Sequence, residues 1–432
     1  MVFREHNTMM TRQMNPTSSG LTENSVAEQV EACVRRTEVF DPHTHLYEPG
    51  FGELTLWGID ELLIYHYLIA ELFRHVRLPF ESFWGLAKRE QADLVWQHLF
   101  IESSPISEAC RGVLTTLAAL GLEPRRRDLE SVRNWFAEGN LAEHTERCLK
   151  LAGVRGLSMT NSPFDDAERA VWEAGFTRDA RFAPGLRIDP LLLSWQEAQP
   201  RLRTWGYDVD ATLNERTVTE TRRFLGDWSK RMDPWYVMVS LPAEFDFPAA
   251  TQTVEILEKI VLPHCREHGQ PFAMMPGVRR GVNPALRLAG DGVGAMRVAA
   301  IASLCEAWPE NKFMATVLAR ENQYELCVTA RKFRNLHIFG CWWFLNVPSL
   351  VEEITEMRME LLGTNFTFQH SDARILDQLI YKWRHSREVL TRVLTRKYQG
   401  LLATGWSVTT SELERDVRAL MGGGFEEFCG RG

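Results

Sequence analysis

From residue 154 to residue 370 the chain keeps one rhythm, a short run of β-branched, aromatic or aliphatic residues followed by a helical stretch. The runs lie at 154–160, 182–188, 235–241, 272–278, 313–318, 336–343 and 366–370, and Thr37-Glu38-Val39-Phe40 adds an eighth at the front. They are apolar almost throughout rather than alternating, as strands covered on both faces are, and their alternation with helices argues for a parallel sheet. Eight such units predict an α/β fold, a (β/α)8 barrel of the TIM type. An open, doubly wound sheet is the competing arrangement. No Gly-x-Gly-x-x-Gly follows any of the runs, which removes that fold's usual nucleotide site.

The rhythm is interrupted once, after the first strand. Leu62, Tyr65, Ile69, Leu72 and Phe73 recur at three and four residues, and apolar positions from Phe80 to Val95 and from Ala109 to Leu120 keep that period, with no clear strand among them. The expected organisation is an N-terminal extension over 1–38, a barrel over 39–400 with a long helical insertion after strand 1 at 46–150, and a C-terminal helix and tail over 401–432. Within the extension, 15–20 reads as a loop and 21–36 as a polar helix. One later helix can be delimited closely: Ser349 and Glu352 form a capping box, and Gly363 ends the stripe Leu350, Val351, Ile354, Met357 and Leu361. The amphipathic segment 411–421 is followed by a glycine-rich tail that reads as mobile.

In a barrel of this kind chemistry belongs at the C-terminal ends of the strands. The first strand ends in Asp41-Pro42-His43-Thr44-His45. Residues i and i+2 of an extended chain point the same way, so the two imidazoles project together and offer a pair of nitrogen ligands. Two histidines alone hold a metal poorly. The eighth strand ends in His370-Ser371-Asp372-Ala373-Arg374, and closure of the barrel brings it beside the first. Asp372 then completes a His2Asp set with open positions, as a catalytic metal requires. Strand three ends in Arg187-Ile188-Asp189, and strand five in Pro276-Gly277-Val278-Arg279-Arg280. Taken singly, each residue has an ordinary reading: Asp372 as a helix N-cap, Arg374 in a surface ion pair, Tyr67 as a core tyrosine, His66 as a structural histidine.

Together the residues resemble a known family. The pattern Phe40-Asp41-x-His43-x-His45, the pair His66-Tyr67, Arg187-x-Asp189, the run Gly340-Cys341-Trp342-Trp343-Phe344, and Asp372-x-Arg374 followed by Trp383-Arg384-His385 are similar to uronate (glucuronate) isomerase, of the amidohydrolase superfamily. The stretch from Gly277 through Arg280 and Asn283 to Gly290-Asp291-Gly292-Val293-Gly294 also resembles that family, and the likeness spans roughly 39–390. It implies a metal-assisted aldose–ketose isomerase that interconverts D-glucuronate with D-fructuronate, or D-galacturonate with D-tagaturonate. By the same resemblance His43, His45 and Asp372 hold one divalent metal ion, usually zinc, and Tyr67 and His66 lie over the substrate. Arg187 and Arg374 bind charged oxygens, and Trp383 lines the pocket.

Such an isomerisation moves a proton between C2 and C1 through a cis-enediol. It needs a base near carbon and positive charge near the developing oxyanion. Asp372 and Tyr67 are the expected proton-handling pair, and the sequence leaves open which of them touches C2. Arg187 and one of Arg279 and Arg280 are candidates for the substrate carboxylate. Two departures mark a divergent member. Met275 stands where many relatives carry a strand-five histidine, and around Tyr67 only His66-Tyr67 remains of the family's longer wording. No strand-four lysine is found either, which favours a single metal. Two other readings stay open on the residues alone: a mononuclear metal hydrolase of the same superfamily acting on a lactone or ester of a sugar acid, and a sugar-acid binder without catalysis.

Charge and cysteine usage narrow the setting. The formal net charge of -8 offers no general attraction to nucleic acid or to an anionic membrane, so the expected partner is a small hexuronate. The first twenty residues lack the apolar core of a secretory signal, and no stretch is long and apolar enough to span a bilayer. Eight cysteines without a CxxC pair fit a reducing cytoplasm. The insertion's apolar helical faces could bury against a second copy of the chain in a homo-oligomer, or equally against the barrel.

Overall fold

The computed structural model describes residues 20–432. Seven strands, β1 (Val39–Asp41), β2 (Val154–Asn161), β3 (Phe182–Arg187), β4 (Val237–Val239), β5 (Phe272–Met274), β8 (Phe313–Ala315) and β9 (Leu336–Ile338), form one curled sheet in that order. Every neighbouring pair is parallel. Helices run between most of the strands, as the alternating pattern predicts. A separate antiparallel hairpin, β6 (Val278–Arg279) with β7 (Gly292–Val293), splits off from the end of the run expected at 272–278.

The eighth element departs from expectation. Residues 366–373 are not a regular strand, yet they close the ring. The Thr367 N–H donates to Ile338 O (2.9 Å) and Gly340 N–H to Thr367 O (3.0 Å); on the other side Asp372 N–H donates to His43 O (3.1 Å) and His45 N–H to Ala373 O (2.7 Å). Between these two contacts the Phe368 N–H turns away to Leu420 O (3.0 Å), and Asp372 adopts a left-handed backbone with φ 51°. One stretch thus bonds its two neighbours at different points instead of running a continuous ladder.

The strands sort their side chains by period two. Val237, Val239, Phe272, Met274, Phe313 and Ala315 pack outward into the large core under the helices, while Met238, Ala273 and Met314 join Phe40, Tyr236 and Phe339 in a separate central cluster. Both faces are therefore apolar, which is why the runs show no alternation.

The C-terminal tail, expected to be mobile, is folded against the barrel. After the helix Thr410–Arg418 the chain turns at Gly422 (φ 113°), where an added Cβ would fall 2.3 Å from the Phe40 carbonyl oxygen. The helix Gly424–Cys429 then carries Phe425, fully buried, into the central cluster against Phe40, Trp235 and Tyr236. The glycine at this turn permits a close approach to the barrel floor rather than loose chain. A smaller correction concerns the helix Pro348–Leu362. It begins one residue before the expected Ser349 cap, with Pro348 in the first turn, where its fixed φ and missing N–H suit a helix start. Of the two segments expected in the N-terminal extension, 15–20 lies almost wholly outside the described residues, and the helix over 21–36 begins at Val26.

Of the seven α-helices between β1 and β2, the first six pack around a core of their own, including Leu62, Leu63, Leu68, Leu72, Phe83, Leu99 and Leu117, with Ile375 from the barrel joining it, while the seventh, Leu141–Ala152, packs on the large core. The first of them is joined to the barrel at Gly58, whose N–H donates to Asp377 (2.8 Å), and Leu376 N–H donates to Leu56 O (2.9 Å). The attachment fixes the start of the helix His66–His75 close to residues 372–378. All eight cysteines are free and buried.

Candidate active site

Nε2 of His43 lies 3.5 Å, and Nε2 of His45 3.3 Å, from the same oxygen of Asp372, Oδ1. Both histidines leave the end of β1, and Asp372 leaves the closing segment, so the barrel seam creates the group. His43 and Asp372 are buried, yet both ring nitrogens of His43 and Oδ1 of Asp372 lack a hydrogen-bond partner among the described residues. Buried polar atoms are rarely left so. Three donor atoms within 4.8 Å of one another, two of them imidazole nitrogens and one a carboxylate oxygen, fit a divalent cation.

The ring orientation of His45 supports this fit. Thr160, at the end of β2, donates its hydroxyl hydrogen to Thr44 O (2.8 Å) and accepts from His45 Nδ1 at 3.0 Å. With Nδ1 carrying the proton, Nε2 keeps a bare lone pair toward Asp372. Burial and then the nearby Arg374 charge push the His45 pKa well below its ordinary value, which keeps the ring neutral. Burial works to raise the Asp372 carboxyl, but the two histidines outweigh it and hold it well below the usual carboxylate range.

The insertion brings His66 and Tyr67 within electrostatic reach of this group. His66 and Tyr67 open the helix His66–His75; their side chains stack edge to face at 4.5 Å, and His66 also meets Trp343 at 5.6 Å. His66 Nε2, Tyr67 Oη and Tyr65 Oη are buried without hydrogen-bond partners among the described residues. Burial, then Arg374, lowers the pKa of His66 to about 3, so its ring is neutral. Burial raises Tyr67 well above the ordinary phenol value despite Arg374, so it holds its proton. Arg374 makes no side-chain hydrogen bond or ion pair among the described residues, while Gln378 fixes its backbone N–H at 2.9 Å. Arg187 is gripped by Asp189 through two hydrogen bonds, Nε to Oδ2 at 3.0 Å and Nη2 to Oδ1 at 2.8 Å. Burial works to strip its charge, but Asp189, with Glu168 and Asp372 nearby, keeps it protonated.

Other sequence candidates fall elsewhere. Trp383 is only 1% exposed, and its indole N–H donates to Asp41 Oδ2 at 2.8 Å, so it packs behind the histidine pair instead of lining open space. Arg280 pairs with Asp291 across the β6–β7 hairpin and is mostly exposed, as is Arg279; no hydrogen bond or ion pair joins either to the metal-ligand group. Met275 is buried in the central cluster. His264 bonds Ser229 Oγ (2.9 Å), and the His268 ring bonds the His264 carbonyl (2.9 Å), a structural pair.

Several further residues stand at the site, not all of them marked by a sequence signal. His370 is fully buried against His43, with ring centroids 5.2 Å apart and both nitrogens unpartnered. It leaves no room for a side chain at Gly340, where a Cβ would come within 1.8 Å of its ring, which explains that glycine in the Gly-Cys-Trp-Trp run. Asp41, two residues before His43 on the same face, had its signal in the i, i+2 spacing. Lys382 is buried, and its ammonium donates to Ser371 O; burial lowers its pKa to about 8 against the pull of Asp372 and Asp41. A second group, His144, Cys148 and Asp377, also brings three donor atoms together. There both Asp377 oxygens are taken, by His144 Nε2 (2.7 Å) and Gly58 N–H (2.8 Å), so it reads as a buried hydrogen-bond network tying the insertion to the barrel.

Among solved structures, an uronate isomerase from Bacillus halodurans C-125 is 50% identical to this chain. The match covers 96% of this chain and 98% of that one, with a TM-score of 0.94. The chain belongs to the uronate isomerase family. Two more distant structures share the fold at 16% identity: an uronate isomerase from Thermotoga maritima (TM-score 0.73, covering 93% of this chain and 97% of that one) and a glucuronate isomerase from Caulobacter crescentus (0.75, 94% of each). No protein-family model matches the chain, and no curated protein does. Among the described residues no helix is long and apolar enough to cross a membrane.

Proposed function

We propose that this member of the uronate isomerase family interconverts D-glucuronate with D-fructuronate, or D-galacturonate with D-tagaturonate, at the group formed by His43, His45 and Asp372. The observation that carries the reading is the convergence of two imidazole nitrogens on an unpartnered, ionised Asp372 oxygen, with His66 and Tyr67 within electrostatic reach of Asp372 and Arg374. A divalent cation held there, zinc in our reading, supplies positive charge that stabilises an oxyanion.

The residues divide the remaining work. Arg187, pre-oriented by Asp189, presents its guanidinium to the substrate carboxylate, a pairing that favours arginine's planar fork. Asp372 is the ionised carboxylate and takes the C2 proton; the C2–H electrons become the C1=C2 bond, and the C1 oxygen gains a proton. Tyr67, which holds its phenol proton, donates to that oxygen. Arg374 offers unpaired positive charge to the developing oxyanion. In the second half the C2 hydroxyl gives its proton to the Tyr67 phenolate left by the first, C2=O forms, and the C1=C2 electrons take the proton back from Asp372 at C1. Neutral His66 bounds the site and adds no competing charge.

The open, unpaired Arg374 and the gripped Arg187 both favour an anionic sugar over a neutral lactone, which ranks the hydrolase reading second. Incubating the metal-loaded protein with each hexuronate and following the proton NMR spectrum tests the proposal. Appearance of either ketouronate supports it, and turnover of lactones with neither hexuronate converted would replace it.

A further inference from the structure

Asp372 holds a left-handed backbone (φ 51°), a conformation that costs a non-glycine residue free energy and persists where its surroundings fix it. The residue before it, Ser371, is held at both ends. Its N–H donates to Asp41 Oδ1 at 3.0 Å, and its carbonyl oxygen accepts from the Lys382 ammonium. The same Asp41 Oδ1 accepts the His43 N–H at 3.4 Å, so one carboxylate oxygen spans the two chain segments that supply the ligands. The other, Oδ2, accepts from Trp383, the neighbour of Lys382 on the helix Gln378–Ala403. Asp41 is fully buried and Lys382 only 4% exposed, and both spend their polar atoms on protein partners. Lys382 is also the buried cation facing the two carboxylates Asp41 and Asp372.

We propose that Asp41 and Lys382 are positioning residues: they clamp the Ser371 peptide from both sides and so aim the Asp372 carboxylate at His43 and His45, with Trp383 holding Asp41 in place. The inference rests on the reading of His43, His45 and Asp372 as the metal group. Outer partners that orient a ligand change metal affinity by about 10–100-fold when removed.

The test uses the full chain, with zinc affinity measured by chelator competition alongside kcat, KM and the thermal midpoint. Lys382→Met keeps most of the length of the side chain and removes the donor. It is expected to weaken zinc binding at least about tenfold and to lower kcat by a similar factor, with KM changed by less than about threefold. Trp383→Phe removes the N–H to Asp41 together with part of the buried ring system, and is expected to weaken zinc binding in the same direction by a few-fold. His385→Gln is the control: it lies on the same helix, buried against Glu108 and Thr115, and is expected to lower the thermal midpoint without changing zinc affinity. Zinc affinity and kcat within twofold of wild type in Lys382→Met overturn the clamp, as does an equal loss of zinc affinity in His385→Gln. If Lys382→Met does not fold, Trp383→Phe decides on the same criterion. A wild-type protein that binds zinc but converts neither hexuronate would sink the isomerase reading, while the zinc-affinity comparison would still decide the clamp.

Discussion

The Thr160 hydroxyl gives its hydrogen to the Thr44 carbonyl and faces His45 Nδ1 with a lone pair at 3.0 Å. One residue of β2 therefore sets the tautomer of His45, just past the end of the neighbouring strand.

Thr160→Val keeps the shape and removes both bonds. Zinc affinity, measured by chelator competition, should fall about tenfold or more, with kcat/KM following it at limiting metal and recovering in excess metal. An unchanged affinity would mean that packing alone orients the ring.

Arg187 tests the carboxylate assignment. Lysine at this position keeps the charge but loses the planar fork and the two-bond grip on Asp189. Arg187→Lys should raise KM for the hexuronate about tenfold or more, about 1.4 kcal/mol, with a smaller change in kcat. Steady-state kinetics check this; a change confined to kcat would move Arg187 away from the carboxylate.

The docked tail makes a stability prediction. Phe425 is fully buried between Phe40, Trp235 and Tyr236, and its truncation leaves a cavity at the barrel floor. Phe425→Ala should cost about 3–5 kcal/mol in urea unfolding. A loss below about 1 kcal/mol would show that the tail contributes little to barrel stability.

Stability should also fall in mild acid. Burial, then Arg358, lowers the pKa of His337 to about 4, while the unfolded side chain titrates near 6.5. Between those values the unfolded chain binds a proton that the folded one refuses, so this contribution is complete above about pH 6.5 and is lost as pH falls toward 4. His337→Gln should make unfolding free energy less dependent on pH, by about 2 kcal/mol between pH 6.5 and 5. Equal pH slopes for variant and wild type would contradict the shift.

The barrel was legible because its strands are buried on both faces, which leaves uninterrupted apolar runs. The closing segment was only half legible: Phe366 and Phe368 announce a strand, but its backbone divides its bonds between neighbours and breaks regularity at Asp372. The meeting of His43, His45 and Asp372, a group that could hold a metal ion, was legible from sequence because barrel closure makes first and last strands neighbours. Lys382 was not, since a lysine in an otherwise amphipathic helix looks solvated until its carbonyl partner is known. Trp383 and Arg280 have partners that local spacing does not reveal: the Trp383 indole bonds Asp41, and Arg280 pairs with Asp291 across the hairpin. The tail's glycines looked like freedom and are instead points of close contact.

The most direct measurement of the central claim compares wild type, Asp372→Asn and Tyr67→Phe, each with its metal content determined, by proton NMR of D-glucuronate and D-galacturonate turnover. The account predicts conversion of at least one hexuronate by wild type, a fall of at least about 10³-fold in metal-loaded Asp372→Asn, and about 10²-fold in Tyr67→Phe. Conversion of neither sugar by metal-replete wild type, or an Asp372→Asn protein that keeps more than about a tenth of the rate, would contradict it.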